Sequence, residues 1–130
     1  MLGFLGIFGR ADDLRRLESA FRAVGLHPRV VPDAVKIAAI RQLRRDPDSD
    51  GSVSDADCAS AAVLLTYCII GPGGLAAETD VSTVEAVEER VERAVAAGDS
   101  TDARLILLAL HAGLVESGVI DRYGLESDSP

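Results

Sequence analysis

Asp55-Ala56-Asp57-Cys58-Ala59-Ser60-Ala61-Ala62-Val63-Leu64-Leu65-Thr66-Tyr67-Cys68-Ile69-Ile70 is the stretch whose reading decides the fold. Cys58, Ala61, Ala62, Leu65, Cys68 and Ile69 recur at helical spacing, while Val63, Leu64, Tyr67 and Ile70 cover the remaining sides. A helix that is apolar almost all round needs neighbours on every side, so it belongs at the centre of a helical bundle. Ser54 or Asp55 can start it, and Gly71-Pro72-Gly73-Gly74 is expected to end it and open a flexible connection through Thr79.

Helical periodicity recurs on both sides of this element, and strand alternation is nearly absent. Upstream, Leu14, Leu17, Phe21 and Val24 share one face of a first helix, with Asp12 or Asp13 as its expected cap and Gly25 as its end. His27-Pro28 breaks the chain, and a second helix from Asp33 aligns Val35, Ile40 and Leu43. Downstream, Ser82 and Glu85 have the spacing of a capping box ahead of a stripe of Val84, Val87, Val91 and Ala94 that Gly98 closes. On that helix Glu88, Glu89, Arg90, Glu92 and Arg93 are expected to face water. A fifth helix is expected over 101–116, carrying Leu105, Ile106, Leu107, Leu108, Leu110, Leu114 and Val115 and packing on the third. Val119, Ile120 and Tyr123 suggest a short last one. The prediction is all-α: a single-domain bundle of five or six helices over 10–125, preceded by an apolar Gly-rich arm at 1–9 and followed by a disordered tail at 126–130.

Composition narrows the class. The chain has 130 residues, 48% hydrophobic and 26% charged, as in a globular domain that buries its own core. Aromatics are 4%, so that core must rest on Leu, Ile, Val and Ala. The net charge of −8 hides a split. Residues 1–45 carry nine basic and four acidic side chains, a net of +5, whereas 46–130 carry four and seventeen, a net of −13. Two oppositely charged halves that attract within one fold account for this, and a face for a charged partner is the alternative. Nucleic acid is excluded as a partner by the acidic balance and by the lack of aromatics among the arginines. Cys58 and Cys68 lie ten residues apart on one helix, roughly 15 Å, beyond disulfide reach. They read as buried thiols of a reducing compartment. No run reaches the roughly 18 apolar residues of a membrane span, and no basic leader opens the sequence. A cytoplasmic, bacterial protein is expected.

The second and third helices flank Asp46-Pro47-Asp48-Ser49-Asp50-Gly51-Ser52-Val53-Ser54-Asp55-Ala56-Asp57. Oxygen-bearing side chains stand at positions 1, 3, 5 and 12 of these twelve residues, glycine at 6 and a β-branched aliphatic at 8. The stretch resembles the calcium loop of EF-hands and of dockerin modules, the latter also ending in Asp. That resemblance covers 46–57 alone; the whole chain resembles no recognised family. It implies one calcium ion held by the side chains of Asp46, Asp48 and Asp50, the carbonyl of Ser52, Ser54 directly or through water, and Asp57. Gly51 would take the sharp turn and Val53 would pair with a neighbouring loop. Asp57 is one methylene shorter than the usual Glu, which lowers the expected affinity, and the sequence holds no second such loop. Asp50-Gly51-Ser52-Val53 with Asp57 also resembles, more loosely, the acidic turn of tellurite-resistance TerB-like helical proteins. The alternative is an acidic, turn-rich surface connection without metal, since Asp, Ser and Gly are the residues that build turns and caps.

Catalytic signatures are lacking. His27 has no acid or nucleophile tied to it, His111 reads as a core or boundary histidine, and no cation adjoins either cysteine to lower its pKa. The segment Met1-Leu2-Gly3-Phe4-Leu5-Gly6-Ile7-Phe8-Gly9 holds two of the three phenylalanines. It reads as an arm that packs on its own core or on a second subunit, or as an interfacial membrane anchor aided by Arg10, Arg15 and Arg16. Three functional expectations follow: a small non-enzymatic helical binding module that takes calcium at 46–57; a metal-free structural or protein-interaction module, with self-association as a homodimer; and a peripheral membrane protein anchored by 1–9.

Overall fold

The computed structural model describes the backbone of residues 2–47 and 50–125 and the side chains of 12–47 and 50–125. The described residues form six α-helices: α1 (Leu2–Ala23), α2 (Asp33–Arg45), α3 (Asp55–Glu78), α4 (Val81–Ala97), α5 (Thr101–His111) and α6 (Ser117–Tyr123), with a 3-10 turn at Pro28–Val30. There is no strand among the described residues, and the helices form one bundle.

α3 occupies the middle because its sequence offers no polar side to solvent. Leu64, Leu65, Thr66, Tyr67 and Cys68, five consecutive residues covering every side of the helix, are all buried. α1, α4 and α5 pack directly on it, α2 bridges α1 and α5, and α6 closes on it near its kink. α3 is also the one described helix long and apolar enough to cross a membrane by length and composition, at a mean hydropathy of 1.6. It passes that test although Thr66, Tyr67 and the glycines interrupt any unbroken apolar run. Over half of that window is buried against the other helices.

The periodic faces place the core as the sequence implies. Leu17 and Phe21 of α1, Val35, Ile40 and Leu43 of α2, and Val84, Val87, Val91 and Ala94 of α4 are buried together. Removing Leu17, Ile40 or Leu43 to Ala costs about 2–5 kcal/mol, from lost transfer energy plus the cavity left behind.

Several boundaries depart from expectation. α1 begins at Leu2, so Asp12 and Asp13 lie well inside it rather than capping it. Its end is as expected. Gly25, at φ +83°, allows Leu26 N–H to reach Phe21 O and Gly25 N–H to reach Arg22 O, the paired bonds of a left-handed C-terminal cap. α3 does not stop at Gly71. That residue alone is non-helical (φ 79°, ψ 175°), and a second helical piece resumes behind it with Pro72 at its first position, where a missing N–H is harmless. Asp80, rather than Ser82, caps α4: its carboxylate accepts from Thr83 N–H at 2.7 Å. α5 ends at His111 because Gly113, at φ +72°, turns the chain, and Glu116 then caps a separate α6.

Candidate functional site

The acidic loop joins α2 to α3 in a helix-loop-helix, as its composition implies, and each described acid already has a protein partner. Asp46 follows α2, and its Oδ2 accepts from the Thr101 hydroxyl at the start of α5, 3.0 Å away. Asp50 Oδ1 accepts from Ser52 N–H at 3.0 Å and from the Ser52 hydroxyl; these bonds hold its carboxyl below the usual range. Gly51 takes the turn at φ +92°. Ser54 and Asp57 form a reciprocal cap on α3: Asp57 N–H donates to Ser54 Oγ at 3.1 Å, and Ser54 N–H donates to Asp57 Oδ2 at 3.0 Å. Val53 turns inward and is buried in the chain's own core, not against a second loop.

Asp48, the expected ligand at the third position of the loop, lies outside the described residues. Among the described residues, no three His, Cys, Asp or Glu side chains converge as a group able to hold a metal ion.

Beside the loop stands a cluster that composition did not reveal. Asp13 is 4% exposed and its two carboxylate oxygens accept from Arg16 and Arg44. Arg16 also lies 3.6 Å from Asp55, at the start of α3. One buried carboxylate thus ties α1 to α2, while Arg16 ties α1 to α3. Lys36 makes a comparable knot. Its ammonium lies 2.7 Å from Glu18, 3.1 Å from Asp33 and 3.3 Å from the Pro28 carbonyl. Burial works against its charge, but the hydrogen bonds to Glu18 and Asp33 outweigh that and raise its pKa. The arginine-rich faces of the basic half are therefore partly internal.

Arg90, expected in water, instead grips Asp102 through two nitrogens at 2.9 and 3.1 Å and reaches the Ser60 carbonyl. It pins α4 to α5 and α3. Tyr67, Tyr123 and Glu88 form another internal set, with the Tyr67 hydroxyl 3.1 Å from each of the other two and Arg122 closing on Glu88. Cys58 and Cys68 are buried free thiols, pushed up by burial to about 11 and about 12. Such thiols are poor nucleophiles. His111 is exposed, not a core histidine, because the chain leaves α5 just beyond it; His27 is exposed and accepts from Arg29 N–H.

The surface feature missing from the sequence reading is an apolar groove of about 200 Å³ between α4, α5 and α6. Ala94, Val95, Ile106, Leu107, Leu110 and Leu125 line it. Val95 is 45% and Leu107 44% exposed, unlike the stripes that face α3. The signal was present: α5 carries more apolar positions than one packing face needs, and Leu107 is the surplus. The other apolar candidate, residues 1–9, is helical in its backbone from Leu2, but its side chains lie outside the described residues, and so does the tail at 126–130. The anchor reading of 1–9 thus falls on undescribed side chains.

No protein-family model matches the chain, and neither curated proteins nor solved structures give a match.

Proposed function

We propose that the protein is a small non-catalytic helical interaction module that self-associates through the groove between α4 and α5. The observation that carries this reading is the pair of open aliphatic side chains, Val95 and Leu107, flanking a concave apolar surface. Aliphatic side chains left open beside a concavity are surface that association would remove from water. A second copy is the occupant that the charge pattern favours. The groove lies in the half with a net of −13, and the same chain offers a half with a net of +5. Light scattering tests the reading. The molar mass of the wild type should rise above the monomer's 13.6 kDa with concentration, and Leu107→Glu should hold it there. A wild type that stays monomeric at high micromolar concentration contradicts the reading.

A second reading has its own support: calcium capture by the loop. Gly51 makes its positive-φ turn at the sixth position, and Ser54 and Asp57 sit at the first turn of the exit helix, as an EF-hand-like loop requires. On this reading the ion must draw Asp46 from Thr101 and Asp57 from its cap, so capture is weak and reorders the loop. Calorimetry with calcium, against an Asp46→Ala/Asp50→Ala variant, decides it. Heat lost in the variant supports capture; no heat from the wild type at millimolar calcium rules it out.

A further inference from the structure

We infer that the outer face of the α1–α2 hairpin, with Arg15, Arg22, Arg29, Arg41 and Arg45 around an open Val30, docks on a bilayer surface bearing anionic phospholipids. Neither α1 nor α2 contributes a residue to the groove between α4 and α5, so the inference stands apart from the self-association proposed above.

The first observation is how the charges pair. Residues 1–45 hold four acids, Asp12, Asp13, Glu18 and Asp33. All four are engaged within that half: Asp12 and Asp13 with Arg16, Asp13 also with Arg44, and Glu18 and Asp33 with Lys36. Arg15, Arg22, Arg29, Arg41 and Arg45 are exposed and make no ion pair with another described residue. Among the described residues, one ion pair, Arg16 with Asp55 at 3.6 Å, joins the basic half to the acidic half. The excess positive charge therefore stands at the surface instead of being neutralised inside the fold.

The second is placement. The Asp13–Arg44 and Glu18–Lys36 pairs lay α1 and α2 side by side and antiparallel. Arg15 and Arg22 stand two turns apart on α1. Arg41 and Arg45 stand one turn apart on α2, on the side opposite the buried Val35, Ala39 and Leu43. Arg29 lies in the 3-10 turn between the two helices. The acidic loop bounds this face at the end of α2, where Asp46 turns to Thr101 on α5. The exposed acids Glu85, Glu89 and Glu92 belong to α4, which packs on α3 and α5. One helix layer is roughly 8–10 Å, and the Debye length at physiological salt is about 8 Å. A surface that touches α1 and α2 thus feels these arginines and is largely screened from α4.

The third is Val30. Of the exposed large aliphatic side chains among the described residues, it is the one in the basic half, 46% exposed and next to Arg29. A bilayer suits both features at once. Its headgroups pair with arginines on two helices, and its acyl boundary takes an open aliphatic side chain out of water.

Flotation with vesicles tests this, using phosphatidylcholine alone or in equal parts with phosphatidylglycerol. Wild type and Leu107→Glu should both float with the anionic vesicles and not with the neutral ones. Arg41→Gln/Arg45→Gln should weaken binding about tenfold, while Arg41→Lys/Arg45→Lys, which keeps the charge, should float like the wild type. Arg93→Gln/Arg104→Gln removes the same charge from α4 and α5 and should change binding by about twofold or less. Val30→Asp should also weaken it. Circular dichroism verifies that each variant stays helical. Equal losses in the two glutamine variants would show a bulk charge effect and overturn the assignment of this face. Equal flotation with neutral vesicles would overturn the role of the arginines. No flotation with anionic vesicles overturns the lipid surface outright, and retention on polyglutamate that Arg41→Gln/Arg45→Gln abolishes would then give the face to an acidic protein. Flotation by a wild type that stays monomeric supports this face and contradicts the self-association alone.

Discussion

The backbone N–H of Glu116 donates to the carbonyl of Cys68 across 2.8 Å. In an unbroken helix that carbonyl would accept from residue 72, but residue 72 is proline and has no N–H to give. α6 thus enters the bundle by supplying the donor that α3 lacks. The Glu116 side chain lies over Gly71, where an added Cβ would come within 2.3 Å of its carboxylate.

Gly71 is therefore confined twice, by its neighbour and by a backbone geometry (φ 79°, ψ 175°) that other residues adopt only under strain. Gly71→Ala should destabilise the protein by about 1–3 kcal/mol. Urea unfolding measures this. Adding Glu116→Ala should recover little of the loss, since the backbone strain remains and the cap of α6 goes with the side chain.

Asp13→Asn should be among the more damaging single-atom changes. It leaves Arg16 and Arg44 without their shared carboxylate. Losing one partner of a buried pair costs about 3–5 kcal/mol; with both guanidinium groups a third exposed, about 2–3 kcal/mol is expected here. Chemical denaturation gives the value, and Arg44→Met in the Asp13→Leu background should restore part of it.

The thiols give a reactivity prediction. Cys58 and Cys68 are 1% and 0% exposed and their thiolates are suppressed by burial. A disulfide reagent at pH 8 should find almost no free thiol in the folded protein and two in the unfolded one.

The same burial sets a dependence on pH. Cys68 rises from 9.0 to about 12, and burial with the Tyr123 hydrogen bond raises Tyr67 as well. A folded pKa above the unfolded one means that the unfolded chain loses its proton first as pH rises. The contribution is complete below pH 9 and is lost progressively from there towards pH 12. The melting temperature should therefore fall on the alkaline side, and Cys68→Ala should flatten that fall while lowering the plateau.

The bundle was legible because its signals are periodic and local. The all-round apolarity of Cys58–Ile70 placed α3 at the centre, and the stripe of Val84, Val87, Val91 and Ala94 gave the buried face of α4. Misplaced features depended on partners distant in sequence. A glycine-proline pair reads as an end of helix, and only Glu116, 48 residues after Cys68, allows α3 to continue past it. Asp13 reads as a cap until Arg44 is seen beside it, and Arg90 reads as solvated until Asp102 is. The acidic loop sits where its pattern put it, with Gly51 in the turn, but Thr101, which holds Asp46, could not be foreseen from spacing.

Hydrogen exchange followed by mass spectrometry tests the central claim most directly, because it reads the groove itself. As the protein is concentrated from low to high micromolar, amides of α5 and of the end of α4 should exchange more slowly, while the exposed loop around Gly51 should not change. Exchange at Leu107 and its neighbours that is indifferent to concentration would contradict an interface there.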